Sequence, residues 1–89
     1  MFQRDIVLAD MKESVVEIFF KDVEGRRVPS LRCTHRMDLL PKSFVNEQHL
    51  MEDFHNQNPN YIATWDVIGK CWTSFDMSKI QYIQVVDNY

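Results

Sequence analysis

The three histidines, His35, His49 and His55, are the side chains of this sequence best suited to hold a transition metal or to move a proton. A helix brings residues three or four positions apart onto one face, and the six-residue spacing from His49 to His55 does not do so. The spacing therefore predicts ordinary surface histidines, and we expect neither a metal nor another cofactor.

The acidic and thiol side chains also lack a recognisable catalytic arrangement. Asp38, Glu52 and Asp53 form no evident acid–base pair, and isolated carboxylates usually serve solvation. Cys71 stands beside Trp72 without the glycine-rich or histidine context that activates a nucleophile. We therefore expect that the protein is not an enzyme, and that Cys71 packs in the core.

The arginines form the one basic concentration of the chain, together with His35 beside the last of them: Arg26, Arg27, Arg32 and Arg36. Arginine presents a forked set of donors that suits phosphates and other anions. The alternative is a solvated edge whose arginines pair with local acids such as Asp22 and Glu24. Both interpretations stay open on the sequence.

Aromatic side chains concentrate in the last third of the chain, at Tyr61, Trp65, Trp72 and Tyr82. Alternate residues of a strand point to opposite faces, so some of these rings must point away from the core. Exposed rings on a sheet can stack on bases or anchor a protein partner. The alternative is that a helix from residues 37–60 covers them.

Length and composition bound the function classes. A chain of 89 residues allows one domain, and its 45% hydrophobic content excludes wholesale disorder. The formal charge of −3 argues against a general nucleic-acid binder, which usually carries a basic stripe. The charged start of the sequence does not resemble a signal peptide, and no run approaches 18 apolar residues. We expect a cytoplasmic protein with reduced thiols and no membrane segment.

The elements that must position these residues are clearest in the C-terminal block, residues 61–86. Its aromatic and β-branched runs predict three strands, over residues 61–65, 71–75 and 80–86. Gly69 is expected to supply a positive φ in the first connection. The second connection, residues 76–79, suits a 3₁₀ turn capped by the Asp76 side chain.

The N-terminal half predicts a helix followed by a hairpin. Over residues 2–13 the spacing places Phe2, Ile6, Ala9 and Met11 near one side of a short helix, which we expect over one end of the sheet. The alternative for these residues is an extended arm. A strand follows over residues 15–21, and Gly25 supplies the awkward angle of a turn at residues 22–25. The return strand is expected over residues 26–34, with Pro29 at an edge or bulge. On the first strand, residues 15–21, Phe19 falls on the mostly polar face, where the N-terminal helix or a partner would cover it.

Residues 37–60 interrupt the strands with an insertion. Residues 46–55 have helical character, with Asn46 as the N-cap and Glu47 in the first turn. Residues 56–60 read as a loop. Connections this long in small domains are usually functional or mobile.

Short motifs in this order resemble the WYL domain, a small Sm-like or SH3-like β-barrel of bacterial transcription regulators. Residues 60–62, Asn-Tyr-Ile, stand at its Trp-Tyr-Leu; residues 73–75, Thr-Ser-Phe, stand at its Arg-x-Phe; Lys79 and Ile80 stand at its Arg-Ile. A minimal stand-alone version common in tailed phages is more similar still. The resemblance covers roughly residues 15–86 and implies a barrel and a phage origin. The arginine of the family's Arg-x-Phe lies on its ligand-binding face, and this chain has Thr73 there.

The predicted fold is a mainly β, α+β single domain over residues 1–89. It is a five-stranded Sm-like or SH3-like barrel with an N-terminal helix (1–13), a first hairpin (15–34), a helical insertion between strands 2 and 3 (37–60) and the C-terminal block. Alternation along the strands predicts a core built by Val16, Ile18, Phe20, Leu31, Phe75, Ile83 and Val85.

Two functions are compatible with this fold. The first is a small non-enzymatic interaction protein, phage-encoded, that binds a host or viral protein through His49, Glu52, Asp53, Asn56, Asn58, Phe19 and Trp72. The second is a nucleic-acid or nucleotide-binding module that uses Arg26, Arg27, Arg32, Arg36, Tyr61 and Thr73. The net charge and Thr73 count against the second.

Overall fold

The structure is a computed structural model that describes residues 2–46 and 48–87, and for residues 45 and 46 it describes the backbone only. The elements run in the order α1 (Arg4–Glu13), β1 (Val15–Phe20), β2 (Leu31–Thr34), a 3₁₀ turn (Lys42–Asn46), α2 (Gln48–Gln57), β3 (Tyr61–Asp66), β4 (Cys71–Asp76), a second 3₁₀ turn (Met77–Lys79) and β5 (Ile80–Val86). The predicted α+β class, with five strands and two helices, is confirmed. The N-cap and first-turn roles predicted for Asn46 and Glu47 lie outside the described residues.

All five strands join one antiparallel sheet in the order β4-β3-β2-β1-β5. The outermost strands, β4 and β5, are linked by only Met77–Lys79, a span of about 8 Å at 3₁₀ rise. A flat sheet of five strands would hold them about 19 Å apart. The sheet must therefore curl, and the rings of Phe20 in β1 and Phe75 in β4 accordingly lie 6.0 Å apart.

The core fills the inside of this curl and extends under α1. Its fully buried side chains include Val7 and Met11 from α1, Ile18 from β1 and Ile62 from β3. The predicted core residues Val16, Ile18 and Phe75 are buried, while Phe20, Leu31 and Ile83 are half-buried against them. Val85 is wrongly predicted, since it is 54% exposed on the edge strand β5.

Helix α1 is present where it was predicted, but it buries a different face. Val7 and Met11 are buried, whereas Phe2, Ile6 and Ala9 are exposed. Because four consecutive residues, 6–9, are apolar, several faces of this helix satisfy the same spacing, and tertiary packing decides between them. The Met11 carbonyl accepts from the His35 N–H at 2.9 Å, which fixes α1 beside the end of β2.

The connection between the two strands of the first hairpin is longer and less regular than predicted. The turn forms with Glu24 and Gly25 at φ values of 51° and 75°, and Val23 and Arg26 exchange two backbone hydrogen bonds across it. The return strand is only Leu31–Thr34, so the prediction of a strand from residue 26 is wrong. Pro29, which cannot donate to a ladder, lies in the irregular approach to it. The bulge lies elsewhere, between β1 and β5.

Gly69 has a different role from the one predicted. The positive φ in this connection belongs to Lys70, at 53°. A Cβ on Gly69 would lie 2.8 Å from Asp66 Oδ2, and the Asp66 carboxylate accepts from the N–H groups of Ile68 and Gly69. Gly69 is therefore required for space beside this carboxylate. The predicted Asp76 cap is present, with its carboxylate accepting from Ser78 N–H at 2.9 Å.

Candidate functional site

An apolar groove lies between α2 and the outer face of β3 and β4. It encloses about 230 Å³, and its lining is Phe44, Leu50, Met51, Phe54, Ala63 and Trp72. Helix α2 packs on β3, the neighbour of the edge strand β4. Trp72 on β4 consequently stays 40% exposed at the open side of the groove.

Trp72 and Phe44 are the aromatic rings of the groove wall opposite α2, and Trp65 packs against Trp72 outside the lining. Trp65 and Trp72 face each other across the β3–β4 ladder, with ring centroids 5.3 Å apart in an edge-to-face arrangement. Phe44, from the 3₁₀ turn before α2, lies 5.0 Å from Trp72 and is buried. Aromatic pairs of this geometry contribute about 0.5–1.5 kcal/mol beyond their buried area.

Helix α2 supplies the other wall. Leu50 and Phe54 are four residues apart and share a face with Met51, as helical spacing requires. Met51 and Phe54 are half-buried, whereas Leu50 is 55% exposed. The helix ends where Asn58 donates from both its backbone and its side chain to the Phe54 carbonyl, at 2.9 and 3.0 Å.

Two histidines hold α2 and the end of β2 to one residue of β3, Ala63. The β2–β3 ladder ends at Thr34 and Trp65, so Ala63 has no strand partner on that side. His35 Nε2–H donates to the Ala63 carbonyl at 2.6 Å, and the Ala63 N–H donates to His55 Nε2 at 2.9 Å. His55 must therefore be neutral, with its proton on Nδ1. We call this arrangement the histidine clamp.

Burial keeps both members of the clamp neutral. Desolvation lowers the pKa of His35 below its usual value, and the nearby Lys12 ammonium acts in the same direction. Desolvation also lowers the pKa of His55, with help from the Arg4 guanidinium and from His35. The prediction of ordinary surface histidines is wrong for His35, which is 7% exposed, and holds for His49.

A second cavity, of about 390 Å³, lies between α1 and α2 on the other side of the groove wall. Both clamp histidines line it, together with Leu8, Leu40, Phe44 and Met51, and Lys12, Gln48 and Glu52 supply polar groups. Met51 and Phe44 separate it from the groove, since they line both.

The predicted partner-binding residues fall in two regions. His49, Glu52, Asp53 and Asn56 are exposed on α2, and Asn58 ends that helix, so these five belong to the element that forms one wall of the groove, with Glu52 turned to the second cavity. Phe19 does not join them. It lies on β1, where its ring stacks on Tyr82 of β5 at 4.3 Å. The neighbouring strand therefore covers one face of the Phe19 ring.

The arginines predicted for anion binding do not form one patch. Arg32 pairs with Glu17 at 3.3 Å, and Arg36 pairs with Asp38 through Nε and Nη2, at 3.1 and 2.7 Å. Arg26 and Arg27 are exposed at the tip of the first hairpin. Tyr61 and Thr73, the other members of that set, lie on opposite faces of the β3–β4 pair, because their positions differ in strand parity.

The two cysteines differ in a way that the sequence did not reveal. Cys33 is fully buried, and burial raises the pKa of its thiol to about 12. Cys71 is exposed, so the prediction that it packs in the core is wrong. Alternation places the Cys71 side chain on the core-facing side of the sheet. Cys71 is, however, the first residue of the edge strand β4, which has a neighbouring strand on one side only.

We expect the native protein to react with a thiol reagent at Cys71 alone, because the thiolate is the reactive form and Cys33 is buried and protonated. Titration with a chromogenic disulfide at pH 8 should show one fast thiol per chain and a second only after unfolding. The Cys71→Ser variant should show no fast thiol. Two thiols that react at similar rates in the native protein would contradict this placement of Cys33.

Sequence reasoning missed Phe44, Ala63 and the outward position of Leu50. The spacing from Leu50 to Phe54 indicated an apolar helix face. It did not indicate that Leu50 stays exposed on this face while Phe54 is half-buried. In the described part of the chain, no three His, Cys, Asp or Glu side chains cluster as metal ligands would. Neither described helix is long and apolar enough to span a membrane.

Comparison with known proteins adds no relative to this description of the site: the chain matches no protein-family model, no curated protein and no solved structure.

Proposed function

We propose that this chain is a small non-enzymatic interaction protein whose apolar groove binds a protein partner. We propose further that it is phage-encoded, acts in the cytoplasm of a bacterial host, and binds a host or viral protein. Its curled sheet would then be a five-stranded barrel of the Sm-like or SH3-like type, as the WYL-like motifs imply.

The observation that carries the proposal is the groove with its uncovered apolar rim. Trp72 and Leu50 stand on its two sides, 40% and 55% exposed, above a floor that includes Ala63. Exposed apolar surface that is contiguous and rimmed by polar residues marks interaction sites. Tryptophan in a partly formed pocket is the residue type most often found to dominate binding energy in protein interfaces.

The polar surroundings of the groove agree with a protein partner. His49 and Asp53 are exposed on α2, one and three positions from Leu50, and no Lys or Arg is among the described residues that line the groove. The two best candidate bases, His35 and His55, are engaged with the Ala63 backbone. These residues therefore serve structure, which supports a binding function over catalysis.

Site-specific photo-cross-linking tests the proposal. The photoreactive amino acid benzoylphenylalanine replaces Trp72 in one variant and Tyr82 in a matched control, since both are half-exposed aromatics on strands. We expect one protein from a nuclease-treated bacterial lysate to cross-link at position 72, to be competed by the unlabelled parent chain, and to bind it when purified. Cross-linking that is equal at both positions, or absent at position 72, would contradict the proposal.

We expect no tight complex with random single-stranded RNA or DNA at physiological salt. Two of the four arginines are paired with carboxylates, and the formal charge is −3. Phosphate-driven binding falls steeply as salt rises, so a titration at about 50 and 200 mM salt identifies it. A tight, salt-sensitive complex would favour the nucleic-acid alternative.

A further inference from the structure

The two edges of the sheet differ in how well they resist an added strand. Strand β5 carries a bulge, because Phe19 pairs with Tyr82 and Phe20 with Ile80, which leaves Gln81 as the extra residue. Bulges, lysines and prolines are the usual means of protecting a sheet edge. Strand β4 has none of them. Its six residues, CWTSFD, pair with β3 in one unbroken register from Cys71 to Asp76.

The unprotected edge lies directly beside the groove. On β4, Trp72 and Ser74 point to the outer face, because Trp72 pairs with Trp65 and Ser74 with Ala63. Both are exposed, and Trp72 lines the groove. A strand added to β4 would present alternate side chains to the same outer face. One of them would stand next to Trp72, where the groove opens.

The charges around β4 have both signs, since Lys70 directly precedes the strand and Lys79 lines the same cavity as Asp76, but the groove side carries an acid on α2. Asp53 follows Leu50 by three positions on α2, and Asp76 ends β4 on the same outer face as Trp72 and Ser74. The groove lining holds no basic side chain. Electrostatic complementarity across an interface favours a partner segment of the opposite charge.

We propose that the occupant is an extended peptide segment of a partner protein, which adds to β4 as a sixth strand. One large aliphatic or aromatic side chain of the segment fills the groove between Trp72 and Leu50, and at least one Lys or Arg faces Asp53. Backbone hydrogen bonds to β4 supply affinity, and the groove and the Asp53 carboxylate supply selectivity. This inference rests on the proposed function and specifies its partner.

A random dodecapeptide library is the probe that tests it. Selection on the immobilised full chain should enrich peptides that alternate apolar and polar positions and carry Lys or Arg. Synthetic copies should bind the chain in solution. N-methylation of the peptide backbone at alternate positions should weaken binding about tenfold or more in one register and little in the other, because only one set of N–H groups faces β4.

Protein variants and amide exchange locate the bound peptide. Asp53→Lys should weaken binding of the basic peptides about tenfold, whereas Asp10→Lys, which makes the same exposed charge change on α1, should not. Bound peptide should slow hydrogen exchange of alternate amides of β4.

The outcomes separate this inference from the proposed function. Peptides with apolar residues three and four positions apart, indifferent to N-methylation, would mean a helical partner in the groove and would overturn strand addition alone. Protection of β4 that rises with protein concentration in the absence of peptide would assign the edge to a second copy of the chain, and would also overturn it. No enriched peptide, together with no cross-link at position 72, would overturn both.

Discussion

Replacing Ile18 with alanine is expected to lower the free energy of unfolding by roughly 2–5 kcal/mol. Ile18 is fully buried and pairs with Leu31 of β2 and Ile83 of β5, so its side chain lies between those of the two strands that flank β1. The cavity left by the substitution cannot be filled without moving both neighbouring strands. A loss of this size approaches the whole stability of a small domain.

Urea or thermal unfolding followed by circular dichroism measures this loss. Val85→Ala is the matched control, since Val85 is on the same side of the sheet but 54% exposed, and it should change stability by about 0.5 kcal/mol or less. A folded Ile18→Ala protein that melts within a degree or two of the parent would refute the position given to Ile18.

Acidification is expected to destabilise the protein steeply below pH 6.5, because it breaks the histidine clamp. The pKa values of His35 and His55 are both lowered in the folded protein, from an ordinary value of 6.5. Above that value both states are neutral, and the contribution of the clamp to stability is complete. Below it the unfolded chain takes up protons that the folded chain does not, so the free energy of unfolding decreases as pH falls toward the folded pKa values.

Protonation has a direct structural consequence at His55. A proton on Nε2 would face the Ala63 N–H that this nitrogen now accepts, so the hydrogen bond could not persist. Helix α2 would then lose its polar link to β3, beside the groove. The carboxylates of Glu17 and Asp76 do not interfere, because their hydrogen bonds to Ser30 and Ser78 lower their pKa values and keep them ionised at these pH values.

Urea unfolding between pH 7.5 and 5.0 measures this effect. His55→Gln should reduce the dependence on pH to the part that His35 supplies, since a neutral amide oxygen can still accept from Ala63. His49→Gln, at an exposed position of the same helix, should leave the dependence as in the parent. An unchanged stability of the parent from pH 7.5 to 5.0 would show that the clamp does not form.

Local signals in the sequence were sufficient for the elements and several turns. The Asp76 cap, the turn at Gly25 and the last strand all depend on neighbouring residues, and all three are present. The return strand was predicted from residue 26, with Pro29 at an edge or bulge, whereas it begins at Leu31. Caps, turns and strands that depend on one residue and its sequence neighbours were therefore largely predictable.

Burial at the edges of the sheet was not predictable by alternation. Cys71, Asp66, Cys33, Val16 and Val85 occupy one row across the five strands and share a face. The central members Cys33 and Val16 are buried, whereas Cys71 and Val85 at the two ends are exposed. Alternation gives the face of a residue, and strand order, which the sequence does not state, decides whether that face is covered.

The candidate site depends on the same missing information. The groove exists because α2 packs on β3 and leaves β4 at the edge, and the histidine clamp exists because β2 ends at Thr34 while β3 continues. Both are consequences of where one strand stops beside another. The sequence indicated the helix, the tryptophans and the histidines. It did not indicate that α2 lies beside Trp72 or that both histidines bind Ala63.

The most direct test of the groove is a comparison of partner cross-linking at position 72 in three backgrounds: parent, Leu50→Ser and Tyr82→Ser. Leu50 and Tyr82 are similarly exposed, at 55% and 47%. Leu50→Ser should change stability by about 0.5 kcal/mol or less, and Tyr82→Ser should cost about 0.5–1.5 kcal/mol more because it removes the stack on Phe19. We expect Leu50→Ser to abolish the cross-link and Tyr82→Ser to leave it at the parental yield. A parental yield with Leu50→Ser would contradict the assignment of the groove as the docking site.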